Sequence, residues 1–138
     1  MHRLVAVLVI LGIAMLAACT VTPRVSTWNS PQRFKKVQVF NAALQAGTQN
    51  GWQPTSSDRE TGTMSFTKRI SRDESILFTV NVTDQGNIVQ VRTMAKTVGG
   101  IAVVGEHEKN LKDFHAALFR TLNISDPSEQ KINVELAK

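Results

Sequence analysis

Ile76-Leu77-Phe78-Thr79-Val80-Asn81-Val82 is the stretch on which the fold turns. Ile76, Phe78, Val80 and Val82 are large and apolar, and Leu77, Thr79 and Asn81 alternate with them. Successive side chains of a strand point to opposite faces, so a period of two predicts a strand with one face buried. Downstream, Asp84-Gln85-Gly86-Asn87 supplies a hairpin turn. Val89, Val91, Thr93 and Ala95 then oppose Gln90, Arg92, Met94 and Lys96 in a returning strand. Upstream, the polar link Ser71 to Glu74 leads back to another alternating run. There Met64, Phe66, Lys68 and Ile70 oppose Thr63, Ser65, Thr67 and Arg69. Asp58-Arg59-Glu60-Thr61-Gly62 is turn material, and Trp52 to Ser57 is a candidate first strand that Pro54 restricts to an edge or bulge. Short connections predict an antiparallel meander of three to four strands.

On either side of this block the period changes to that of a helix. Ser30-Pro31 reads as an N-cap followed by the first helical residue, since the serine oxygen can accept an orphan N–H and proline has none to lose. Phe34, Val37, Asn41, Leu44 and Thr48 follow steps of three and four, flanked by Val39 and Phe40, predicting an amphipathic helix over about residues 31–50. Gly51 suits the left-handed position after its end. Gly47, inside the last turns, costs up to ~1 kcal/mol relative to Ala, and close packing on a sheet is a motive for keeping it. A second helix is predicted from about Glu106 to Leu122, with a stripe of Leu111, Phe114, Leu118 and Leu122 joined by Ala117. Glu106 and Glu108 complement the positive end of its dipole.

The predicted fold is therefore α+β: a two-layer sandwich in the order α-β-β-β-β-α, with both helices on the apolar face of the sheet. Its domain spans residues 30–123. Residues 19–29 (CTVTPRVSTWN) read as a polar tether, with Val25 or Trp28 touching the edge of the fold or Trp28 acting as an interface anchor. Trp52 is expected to pack over the helix–sheet junction. Residues 124–138 contain Pro127 and no helical stripe. A flexible tail is the simplest reading; the alternation of Ile132, Val134 and Leu136 leaves a short strand or a partner-dependent segment open.

At the other end of the chain, His2 and Arg3 precede fifteen uncharged residues, LVAVLVILGIAMLAA, at positions 4–18. A basic start, an apolar stretch and small residues before a cut site are the parts of a signal peptide over residues 1–18, with cleavage between Ala18 and Cys19. The apolar stretch is too short for a comfortable membrane-spanning helix, which needs about 20 residues. The chain holds 16 Lys and Arg, of which Arg3 lies in the leader, against 11 Asp and Glu. This basic excess is mild and not concentrated in a stripe, so nucleic acid is not an expected partner; anionic lipid or an acidic protein surface fits better.

Candidate chemistry is sparse. His107 and His115 lie eight residues apart on the second helix. That is about 12 Å at 1.5 Å per residue, too far for one zinc ion, and a solvated helix face is the expectation. No Gly-x-Ser-x-Gly elbow is present, and the acidic residues fall in turns and at helix ends, where they serve solubility and capping. No cofactor, metal or catalytic residue is expected. Gly99-Gly100-Ile101-Ala102-Val103-Val104-Gly105 lacks the Lys-Ser/Thr of a P-loop. It reads as a connection whose Ile101, Val103 and Val104 cover one end of the core, or as a mobile apolar loop that contacts a partner or a membrane.

Leu16-Ala17-Ala18-Cys19 resembles the lipobox of bacterial lipoproteins. The resemblance implies a diacylglyceryl thioether on Cys19, removal of the leader and acylation of the new amino terminus. Cys19 is the chain's single cysteine. Lipid on it would displace disulfide, metal and nucleophile roles at once. Two or three acyl chains suffice to hold a small domain, whereas one is marginal. Thr20, in the position where Asp favours inner-membrane retention, resembles the outer-membrane class. Over residues 31–122 the order of elements, with the Gly51-Trp52 helix end and the Asp58-to-Met64 turn before a strand, is similar to the repeat domains of BamC-like envelope lipoproteins. The lipobox implies a lipid-anchored protein facing the periplasm. With candidate chemistry so sparse, the expectation is a non-enzymatic protein-interaction or structural module that presents a surface to another envelope protein or to the cell wall. The competing expectation is a carrier of a small ligand or lipid, which needs a groove between helices and sheet.

Overall fold

In a computed structural model that describes residues 22–99 and 105–137, the alternating run at Ile76–Val82 lies within strand β4 (Ser75–Asp84). Its inward residues Ile76, Phe78, Val80 and Val82 are fully buried. β3 (Thr63–Arg69) and β5 (Val89–Val98) flank it in antiparallel register, with Phe66 opposite Phe78 and Phe78 opposite Ala95. β2 (Gln53–Asp58) is an outer edge with a bulge between Pro54 and Ser56, where the proline's missing N–H does no harm. The predicted meander is thus present in β2–β5.

The sheet is larger than the sequence pattern implies. It has six strands in the order β2-β3-β4-β5-β1-β6, all pairs antiparallel. β1 is Arg24–Asn29, from the stretch expected to be a tether, and β6 is Ile132–Leu136, from the tail expected to be flexible. β1 lies between β5 and β6, with Trp28 facing Val91 on one side and Ile132 on the other. Backbone pairing on both edges satisfies its N–H and C=O groups, which explains how so polar a segment is held inside a sheet. Trp28 is no exposed anchor. It is buried, meets the Phe119 ring edge-on at 5.2 Å and donates its indole N–H to the Glu129 carbonyl at 2.7 Å. A short 3-10 helix (Pro127–Gln130) carries Glu129, whose carboxylate also accepts from the two terminal guanidinium nitrogens of Arg33, Nη1 and Nη2, at 2.6 and 2.7 Å. The last segment is therefore tied down by side chains as well as by strand pairing.

Helix α1 is Lys36–Gln49 and α2 is Glu106–Thr121. α1 begins five residues later than Ser30-Pro31 predicts. Ser30 extends the β1–β5 pairing instead: its N–H donates to the Val89 carbonyl at 2.8 Å, and its Oγ accepts from the Val89 N–H at 3.0 Å. The start of α1 is capped by Gln38, whose side chain accepts from the Lys35 N–H at 2.9 Å. The buried face of α1 also differs from the expected stripe. Val39, Phe40, Ala42, Ala43, Ala46 and Gly47 point inward, while Val37 is 53% exposed. Small residues let the helix sit close: a Cβ on Gly47 would fall 2.6 Å from the Phe66 ring. On α2 the expected residues Leu111, Phe114, Ala117 and Leu118 are all buried.

Both helices join the inward rows of the sheet in one core. Trp52, just past α1, is its centre. Its ring stacks on Phe78 at 3.6 Å and on Phe114 at 5.0 Å, and meets Phe66 edge-on at 5.7 Å. The expectation that Trp52 packs at the helix–sheet junction holds. The architecture is α+β, with a six-stranded antiparallel sheet and two helices.

Candidate functional site

Ala18 and Cys19, and the loop residues Ile101, Val103 and Val104, lie outside the described residues. The described chain reaches toward both. Pro23 precedes β1 directly, and its carbonyl accepts from the Ala137 N–H at 2.8 Å, so the path from Cys19 enters the sheet within a few residues. The flanking glycines of the loop have local reasons. Gly99 has φ of 74° and a Cβ there would fall 2.4 Å from the Asp73 carbonyl oxygen; Gly105 has φ of 88° and precedes α2. Both are backbone conformations that favour glycine.

The two histidines, expected on a solvated face, are buried on the sheet side of α2. His115 Nε2 is 2.8 Å from Ser26 Oγ, and His107 Nε2 is 2.7 Å from Thr97 Oγ1. Ser26 pairs across strands with Thr93, so Ser26, Thr93 and His115 form a small polar cluster inside an otherwise apolar core. Thr93 Oγ1 and His115 Nδ1 have no hydrogen-bond partner there. Desolvation holds the His115 imidazole down to about 3, so it is neutral at ordinary pH. His107 is also lowered, first by desolvation and then by Arg24, against the opposing pull of Glu106. A serine hydroxyl against an imidazole has the outline of a nucleophile and its base. Here the pair is sealed from substrate, and an imidazole so hard to protonate is a weak base. The cluster is structural: its hydrogen bond fixes α2 against β1.

The surface offers depressions with mixed polar and apolar walls. One of about 320 Å³ lies between the helices, where Phe34 and Leu122 share the lining with Gln38, Asn41, Gln45 and Thr121. Others of about 410 and 450 Å³ are lined by residues such as Lys35, Lys36, Asp84 and Asn87, or Thr27, Ser128, Lys131 and Asn133. A more apolar hollow beside Val37 and Phe40 holds about 180 Å³. Ligand-carrying pockets run from about 300 Å³ upward with predominantly apolar walls, and none of these hollows combines the two properties. No group of three His, Cys, Asp or Glu among the described residues is placed to hold a metal ion. No described helix is long and apolar enough to cross a membrane.

What remains is surface. The outward face of the sheet is laid out in polar cross-strand rows. One runs Thr63, Asn81, Arg92, Thr27 and Asn133, and Thr63 Oγ1 donates to Asn81 Oδ1 at 2.8 Å. In the next row Val25 is buried between Met94 and Glu135, an apolar centre in a hydrophilic face. Among the described residues, the large apolar side chains that are well exposed are Val37, Ile70, Val98 and Leu136. Sequence reading did not single out the last three as a group. They come from three separate strand ends, and only the register brings them to one rim. No protein-family model matches the chain, and no curated protein matches it either.

Proposed function

We propose that the chain is a bacterial envelope lipoprotein, anchored through lipid on Cys19 and facing the periplasm from the outer membrane. Its domain is a two-layer sandwich that acts as a non-enzymatic protein-interaction or structural module, with no cofactor. The observation that carries this reading is the pairing of a closed aromatic core with broad polar surfaces. Trp52, Phe78 and Phe114 fill the space between helices and sheet where a carrier would hold its ligand. The signal-peptide pattern and the lipobox support the lipoprotein part of this reading. Another envelope protein is the fitting partner for the uncovered sheet face.

Crosslinking in intact cells, followed by mass spectrometry of what copurifies, tests the module reading. Recovery of one or a few envelope proteins is expected. Recovery of none, together with a small molecule or lipid bound to the purified domain, would favour the carrier and overturn it. Replacing Cys19 with Ser tests the anchor separately: incorporation of labelled palmitate should disappear and the protein should leave the membrane fraction.

A further inference from the structure

We propose that the rim of the domain bearing Ile70, Val98 and Leu136 rests on the anionic phospholipid surface of the membrane that holds the anchor. This rests on the proposed lipidation of Cys19. Four residues separate Cys19 from Arg24, the first residue of β1. Even fully extended, that connection spans at most about 18 Å. β1 begins at this rim, with Arg24 opposite Ala95 and Leu136. β5 runs three residues further, to Val98 opposite Ser75, or about 10 Å at the rise of a strand. A short tether leaving this rim holds it at the lipid and the opposite end of the sheet away.

The rim has the composition such a contact needs. Ile70, Val98 and Leu136 are 41%, 52% and 51% exposed, three of the four large apolar side chains with substantial exposure among the described residues. Ile70 is presented by a tight turn in which its N–H donates to the Glu74 carbonyl at 3.0 Å. Arg72 and Lys96 are exposed beside them. Asp73 and Glu74 share the turn, so charge alone is a modest attraction and the apolar residues supply the rest. Each basic side chain near an anionic leaflet raises the docked population roughly fivefold. The fourth exposed residue, Val37, adjoins Arg59 in the turn at the far end of the sheet, and serves as the internal reference.

The test uses full-length protein purified with its lipid and reconstituted into phosphatidylethanolamine–phosphatidylglycerol vesicles. With Cys19 acylated, Val98→Cys or Val37→Cys provides the single free thiol for a fluorophore. Quenching by a lipid-borne quencher should be several-fold stronger at position 98 than at 37. The difference should shrink with Arg72→Ser plus Lys96→Ser, or as salt approaches 1 M and the screening length falls to about 3 Å. Equal quenching at both positions on a protein whose intact mass shows the lipid overturns the orientation and leaves the anchor standing. An intact mass showing unmodified Cys19 overturns both.

Discussion

His115 should make the domain acid-sensitive. In the unfolded chain its imidazole titrates near 6.5, whereas in the core desolvation lowers it to about 3. Below the unfolded value the unfolded chain binds a proton that the folded chain refuses, so folding loses stability as pH falls. The contribution is fully present above about pH 6.5. Moving to pH 5 removes about 2 kcal/mol, and to pH 4 about 3 kcal/mol, as orders of magnitude. A small domain with a total of about 5–15 kcal/mol would register either loss. Urea unfolding followed by the fluorescence of buried Trp28 and Trp52 measures it directly. The informative comparison is with His115→Met, which fills the site without a titrating group. Asp58, Glu108, Asp126 and Glu129, all held below their usual range by hydrogen bonds, also cost stability in acid, but equally in both proteins. The wild type should therefore fall more steeply than the variant between about pH 6.5 and 4. Parallel curves would show that His115 is not buried neutral and would refute the reasoning.

Gly47→Ala should lower the melting temperature: the added methyl meets the Phe66 ring at 2.6 Å, and such overpacking costs about 1–3 kcal/mol against the smaller helix-propensity gain. Ser26→Ala should destabilise by about 1–3 kcal/mol in chemical unfolding, because His115 Nε2 loses the hydrogen bond it makes to Ser26 inside the core. Ending the chain after Gln130 should expose the edge of β1, and hydrogen exchange should show lost protection across Arg24–Asn29 while β3 and β4 stay protected.

The parts of the fold that could be read from sequence are those whose burial follows a regular period. β3, β4 and β5 alternate strictly and carry the larger apolar residues, and α2 shows Leu111, Phe114 and Leu118 at helical spacing. β1 escapes because its two large residues, Val25 and Trp28, are three apart and face opposite sides of the sheet. No period-two signal survives in RVSTWN. The buried face of α1 departs from the sequence pattern for a related reason. Its inward residues include Ala42, Ala43, Ala46 and Gly47, whose small side chains mark a close approach but weigh little in hydropathy, while exposed Val37 weighs heavily. The histidines show a third kind of failure. Whether a polar residue is buried depends on its partner, and Ser26 lies 89 positions from His115. Of the candidate site, Cys19 is legible through local pattern alone. The rim of Ile70, Val98 and Leu136 depends on strand register and so is invisible until the sheet is assembled.

The unexpected position of β1 gives the proposed anchor a mechanical consequence. A lipid tether joined to an edge strand could peel it away one hydrogen bond at a time. β1 instead has β5 on one side and β6 on the other, and antiparallel backbone bonds run across it throughout. A pull along the chain from Arg24 acts parallel to the strand and loads both ladders together. It must also draw Trp28 from beneath Phe119 and break the indole bond to Glu129. The last residues of the domain thus lock the first: Ala137 bonds to Pro23 at the start of β1, and Glu129 bonds to Trp28 and Arg33 at the other end. A tail free to move would leave β1 on an edge, so under the proposed anchoring the polar C-terminal segment would be what turns a tether into a firm attachment.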